Sequence, residues 1–88
     1  MERMKTIYKY PLAIRDEQEI PMPGNPVQFK VGLDPAGELC CWALVDPSEE
    51  MKPKRFFVVG TGHPVPADAY IWIGTVQQGR FMWHVFTP

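Results

Sequence analysis

Val27-Gln28-Phe29-Lys30-Val31-Gly32-Leu33, then Asp34-Pro35-Ala36-Gly37, then Leu39-Cys40-Cys41-Trp42-Ala43-Leu44-Val45: the reading of these three segments decides the fold. In the first, Val27, Phe29, Val31 and Leu33 alternate with Gln28, Lys30 and Gly32, the period of a strand with one buried face. The second supplies a turn-forming Asp, a proline with a preset φ and a glycine that tolerates positive φ. The third is apolar on both faces, with Leu39, Cys41, Ala43 and Val45 on one side and Cys40, Trp42 and Leu44 on the other. That pattern suits a strand covered on both sides. Together they predict a hairpin at the centre of a sheet.

The same logic extends in both directions. Thr6 to Leu12 reads as a strand ended or confined to an edge by Pro11. Arg15 to Gln18 is a polar turn, and a short extended piece lies at Glu19 to Met22. Asp46 to Pro53 reads as a charged connector, followed by a strand over Arg55 to Val59 and an irregular loop, Gly60-Thr61-Gly62-His63-Pro64-Val65-Pro66. Tyr70 to Val76 and Phe81 to Phe86 flank Gln77-Gln78-Gly79-Arg80, a hairpin connection with its glycine near the end. Ten prolines and seven glycines leave no room for long helices. The expectation is an all-β domain, a small antiparallel sandwich or partly open barrel of five to six strands with little or no helix.

Eighty-eight residues suffice for a single domain, residues 1–88, with one core. Nine Lys and Arg against ten Asp and Glu give a net charge of −1, which argues against a nucleic-acid polymer as partner. The longest apolar run, Cys40 to Val45, is far short of the roughly 20 residues of a membrane span, and Met1-Glu2-Arg3-Met4 lacks a signal-peptide core. The chain is therefore expected to be soluble, to stay inside the cell and to have no membrane partner. Cys40 and Cys41 are adjacent, too close for an ordinary disulfide, and two histidines twenty-one residues apart reproduce no zinc spacing. Reduced thiols, no metal and no cofactor are expected.

Gly60-Thr61-Gly62-His63-Pro64 is the leading site candidate, because glycines permit turns in which backbone amides converge on an anion, and His63 can donate, accept or stack. The competing reading of the same residues is a plain glycine-rich strand exit. Lys52, Lys54 and Arg55 form a basic cluster and Arg80 lies on another hairpin; these would complete a phosphate site if the fold gathers them. Otherwise they are a solvated surface. Tyr8, Tyr10, Trp72 and Trp83 exceed what one small core needs and are expected to form an interface, with homo-oligomerisation as the consequence. His84 reads as either a packed histidine with a satisfied nitrogen or part of an interface, the packed reading leading. Cys40 or Cys41, His63 or His84, and Asp46 or Asp68 are not ordered into a catalytic signature, so no catalytic residue is assigned and no enzyme activity is expected.

The motifs also carry a resemblance. Lys5-Thr6-Ile7-Tyr8-Lys9-Tyr10-Pro11-Leu12, Trp42-Ala43-Leu44-Val45-Asp46, Gly60-Thr61-Gly62-His63-Pro64, Ile73-Gly74-Thr75-Val76 and Trp83-His84-Val85-Phe86 resemble a family of small proteins encoded by tailed bacteriophages and prophages. The resemblance implies a phage origin and the host cytoplasm as the place of action; it transfers no activity. With the residues above, it leads to a phage accessory protein that binds a small phosphate-bearing ligand, such as a cyclic-nucleotide immune signal, and sequesters it. The alternatives are a protein–protein inhibitor of a host enzyme and a minor virion or assembly component.

Overall fold

Leu39, Cys41, Ala43 and Val45, one face of the strand Leu39–Val45, are all buried, and the rest of the fold is arranged to cover them. In a computed structural model that describes residues 4–88, seven strands follow one another: β1 (Thr6–Pro11), β2 (Gln18–Pro23), β3 (Phe29–Leu33), β4 (Leu39–Val45), β5 (Met51–Gly60), β6 (Ile71–Gln78) and β7 (Phe81–Thr87). Met1, Glu2 and Arg3, read above for a signal peptide, lie outside the described residues. The strands form two antiparallel sheets, β1-β4-β3 and β2-β5-β7-β6, and no helix occurs among the described residues. No helix is therefore long and apolar enough to cross a membrane there. The domain is a sandwich and not a closed barrel. Its extents of 48 × 31 × 15 Å have a thin axis that matches two stacked sheets.

The inner faces meet in one core. Leu39, Cys41, Ala43 and Val45 pack with Met22, Phe56, Val58, Val76 and Val85, while Tyr10, Ile20, Phe29, Val31, Ile73 and Trp83 close its margins. Phe29 stands edge-on to Phe56, centroids 5.5 Å apart. The close approach of β3 to β6 depends on Gly74, where a Cβ would lie 2.3 Å from Val31 Cγ2. Beside it, β6 carries a bulge: Trp72 faces Phe86 and Gly74 faces Val85, leaving Ile73 as the extra residue. Gln78 ties the sheets together, its Nε2 donating to the Gly37 carbonyl at 3.0 Å and its Oε1 accepting from Trp83 Nε1 at 2.9 Å.

The central hairpin forms in the expected place, with β4 in the middle of its sheet and Gly37 at φ 83. The structure has seven strands where five to six were expected. The segment read as a charged connector begins β5 at Met51, since Lys52, Pro53 and Lys54 pair with Met22, Pro21 and Ile20. Pro53 faces Pro21, so the two residues that lack an N–H oppose one another. Strand β3 starts at Phe29, and Val27 is left outside the ladder, 79% exposed. The β6–β7 connection is tighter than the sequence implied. Gly79 (φ 60) and Arg80 alone join Gln78 to Phe81, with glycine first as a type II′ turn requires.

Asp34 locks the central hairpin. Its Oδ1 accepts from the Ala36 and Glu38 amides at 2.9 Å each, and its Oδ2 accepts from Lys9 Nζ at 2.8 Å. The Lys9 hydrogen bond first, then the Glu38 amide, hold its carboxyl down at about 2, below the ordinary 3.8. A depressed carboxyl contributes stability that is present above its unfolded value and lost as pH falls through the folded one. Thermal unfolding is thus expected to move to lower temperature between about pH 4 and pH 2. Asp34→Asn should flatten that segment of the profile; an unchanged slope would show that the lock contributes nothing.

Candidate functional site

Gly60 ends β5 and opens a turn in which the His63 amide donates to the Gly60 carbonyl at 3.1 Å. Gly62 sits at φ 87 in the third position, the conformation a type II turn demands there. A Cβ at Gly60 would lie 3.4 Å from both His63 Nδ1 and Trp83 Cζ3, so the bare backbone lets the imidazole and the indole approach. The turn keeps its His63 amide for itself. An anion held here would find its donors in side chains, not in a ring of converging amides.

Those side chains come from the β6–β7 hairpin. Arg80, Phe81, Met82 and Trp83 face Gly60, Thr61 and His63 across an open hollow of about 370 Å³. Phe81 stacks on Trp83, centroids 5.5 Å apart and planes 19° apart, and the Arg80 guanidinium lies over the Phe81 ring at 5.7 Å. Phe81 is 53% exposed, while Gln78 fixes the Trp83 indole from the far side. One wall thus presents an aromatic shelf with a cation beside it; the opposite wall presents His63.

A second hollow, of about 250 Å³, opens on the other side of the same turn, where Val65, Trp72, His84 and Phe86 face Gly60 and His63. His84 holds this wall together. Its Nε2 lies 2.8 Å from Thr61 Oγ1 and its Nδ1 2.9 Å from Thr75 Oγ1, so both ring nitrogens are satisfied. In the neutral ring one nitrogen donates and the other accepts, and a hydroxyl can serve either role. This is the packed histidine read from the sequence. Trp72 stacks on Phe86, centroids 6.0 Å and planes 20° apart, and its Nε1 donates to the Gly74 carbonyl at 3.1 Å.

Comparison with protein families matches residues 4–88 to a domain of unknown function, DUF7352. The chain belongs to the DUF7352 family. Comparisons with curated proteins and with solved structures return no match.

Within this DUF7352 domain the candidate residues divide. Gly60, Thr61, Gly62, His63 and Arg80 come together as described. Lys54 and Arg55 do not join them, because both lie near the middle of β5, about 16–20 Å from Gly60 at 3.3 Å per residue. Arg55 is moreover engaged: its Nε donates to Glu17 Oε1 at 2.7 Å and its Nη2 to Asp68 Oδ2 at 2.5 Å, with the Phe57 ring beneath. That hydrogen bond holds the Asp68 carboxyl below the usual range. Arg55 thereby fastens the far end of the segment Thr61–Tyr70, which starts at the His84–Thr61 contact. Lys54 Nζ lies over the Phe29 ring at 5.6 Å.

The expected interface aromatics divide as well. Tyr8 and Trp72 are 42% and 62% exposed, whereas Tyr10 and Trp83 pack against the core, and burial pushes the Tyr10 hydroxyl up. Burial also raises both thiols, that of Cys41 to about 12, so each is protonated near neutrality. The sequence reading did not assign Phe81 to the site, nor Trp72 and Phe86 to a ligand wall. The adjacency of Arg80 and Phe81 at a hairpin tip was the available signal.

Proposed function

We propose that this DUF7352 domain is a binding module without catalytic machinery, and that its site is the hollow between the Gly60–His63 turn and the Arg80–Trp83 hairpin. The ligand class it suits is a small molecule with an aromatic ring and a phosphate, that is, a nucleotide. One observation carries this reading: the exposed Phe81 ring stacked on Trp83, the Arg80 guanidinium and the His63 imidazole line the same hollow. A base gains stacking on Phe81, and Arg80 with its forked donors suits a phosphate. Taken with the phage resemblance, the reading is an accessory protein that acts in the host cytoplasm by sequestering a nucleotide signal.

Calorimetric titration with a panel of linear and cyclic nucleotides tests it. At least one nucleotide should bind, and Arg80→Ala and Phe81→Ala should each weaken it about tenfold, the scale of one charge-assisted contact or one stacked base. Absence of heat across the panel, or affinity indifferent to both substitutions, would contradict the assignment.

Homo-oligomerisation belongs to the same proposal and has its own surface. The outer face of β1-β4-β3 carries an apolar groove of about 480 Å³ walled by Ile7, Val27, Trp42 and Leu44. Ile7 is 63% and Val27 79% exposed. Val27, Gln28 and Leu44 also line the adjoining hollow, so the groove runs from Lys30 at one end to Asp46 and Glu49, beside Lys5, at the other. A second copy related by a two-fold axis would lay the same apolar groove against itself, the self-complementarity an isologous contact requires. Light scattering on the purified chain should give a dimer mass, and Ile7→Glu with Val27→Glu should give a monomer of nearly unchanged melting temperature. A monomer before substitution would contradict this part alone.

A further inference from the structure

We infer that the ligand carries two ring systems joined by an anionic linker, a dinucleotide, held astride the Gly60–His63 turn. This rests on the reading of the Arg80–Trp83 hollow as a nucleotide site and extends it to the second hollow. The two hollows share Gly60, Thr61 and His63 as a common wall, so the turn is a ridge with a recess on either side. Each recess has its own aromatic shelf, a stacked pair with one indole hydrogen-bonded. On one side Phe81 lies on Trp83, whose indole is fixed by Gln78. On the other Trp72 lies on Phe86, its indole fixed by the Gly74 carbonyl and edged by His84, 5.7 Å away by centroids.

Two exposed rings, Phe81 backed by the hydrogen-bonded Trp83 and Trp72 held by its own N–H hydrogen bond and by Phe86, are preorganised for stacking, since little side-chain freedom is lost when a base settles on them. The β6 bulge is what turns Trp72 to this side. It leaves Trp72 facing Phe86 on the outer surface of the sheet while Gly74 and Val76 face inward. Between the shelves stands His63 on the ridge, with Arg80 beside it at the first recess. The linker phosphates would cross there. A mononucleotide can occupy one shelf at a time; a dinucleotide reaches both, and its second base binds at the high effective concentration set by the linker.

The probes are AMP and GMP against the linear dinucleotides pApA and pGpG, titrated by intrinsic tryptophan fluorescence and calorimetry. The expected result is a dinucleotide bound at least about tenfold tighter than its mononucleotide, the scale of one additional stacked base. Trp72→Ala should erase that advantage and leave mononucleotide affinity as it was. Phe81→Ala should weaken both classes. Circular dichroism of each variant separates loss of binding from loss of fold, and Tyr8→Ala, an exposed aromatic on the other sheet, should change neither affinity. Equal affinities for mono- and dinucleotides, or an advantage that survives Trp72→Ala, would overturn the two-shelf site while leaving the mononucleotide site standing. Failure of all four probes, with the wider panel also silent, would remove the nucleotide reading itself.

Discussion

Gly74→Ala should destabilise the domain by about 2–3 kcal/mol, at the upper end of what overpacking costs. The added Cβ would sit 2.3 Å from Val31 Cγ2, far inside van der Waals contact. Val31 is β-branched, stiff at χ1, and held in β3 opposite Cys41 of the central strand. It cannot retreat without moving the sheet. Relief must therefore come from separating β3 and β6, which opens the core at the place where the two sheets approach. The double variant Gly74→Ala with Val31→Ala should lose less than the sum of the two single losses, because removing the γ-methyls makes room for the new one. Urea denaturation of the four proteins measures this coupling directly. Strict additivity, or a Gly74→Ala variant as stable as the parent, would contradict the packing described.

Phe56→Ala is expected to cost about 3–5 kcal/mol, the range for removing a buried aromatic ring. Phe56 has no exposed surface and meets Phe29 edge-on, so its loss opens a cavity and leaves Phe29 without its partner. Small domains hold about 0.05–0.15 kcal/mol per residue. The substitution therefore removes a large part of the total stability, visible in a melting curve as a low, broad transition. A loss below about 1 kcal/mol would mean that the core closes over the gap.

Local pattern made most of the architecture legible. Strand β4 has the bounds its apolar run implied, Leu39–Val45, and the hairpin turn at Asp34–Gly37 follows from its turn chemistry. The first half of β5 was not legible, because Lys52, Pro53 and Lys54 look like a connector until β2 is placed alongside. Neither was the face of Trp72. Unbroken alternation would put Trp72 and Val76 on the same side of β6, but the extra residue Ile73 reverses the order between them, and Val76 is buried while Trp72 is exposed.

The candidate site was legible in part for the same reason. The Gly60–His63 turn announces itself by its glycines, and the fold brings Arg80 to the same hollow. Arg55 looked equally available in the sequence, yet Glu17 and Asp68, distant along the chain, occupy its guanidinium. Long-range ion pairs leave no local mark. Nor does the pairing that brings Trp83 opposite Gly60, on which the first hollow depends.

The central claim is that a nucleotide binds at the Gly60–His63 turn. Amide chemical-shift mapping of the ¹⁵N-labelled chain, titrated with the nucleotide panel, tests it most directly. The account predicts saturable shifts at Gly60, Thr61, Gly62 and His63 and at Arg80 to Trp83, with the amides around Lys54 and Arg55 unmoved. A spectrum unchanged at millimolar nucleotide, or shifts centred on Lys54 and Arg55 instead, would contradict it.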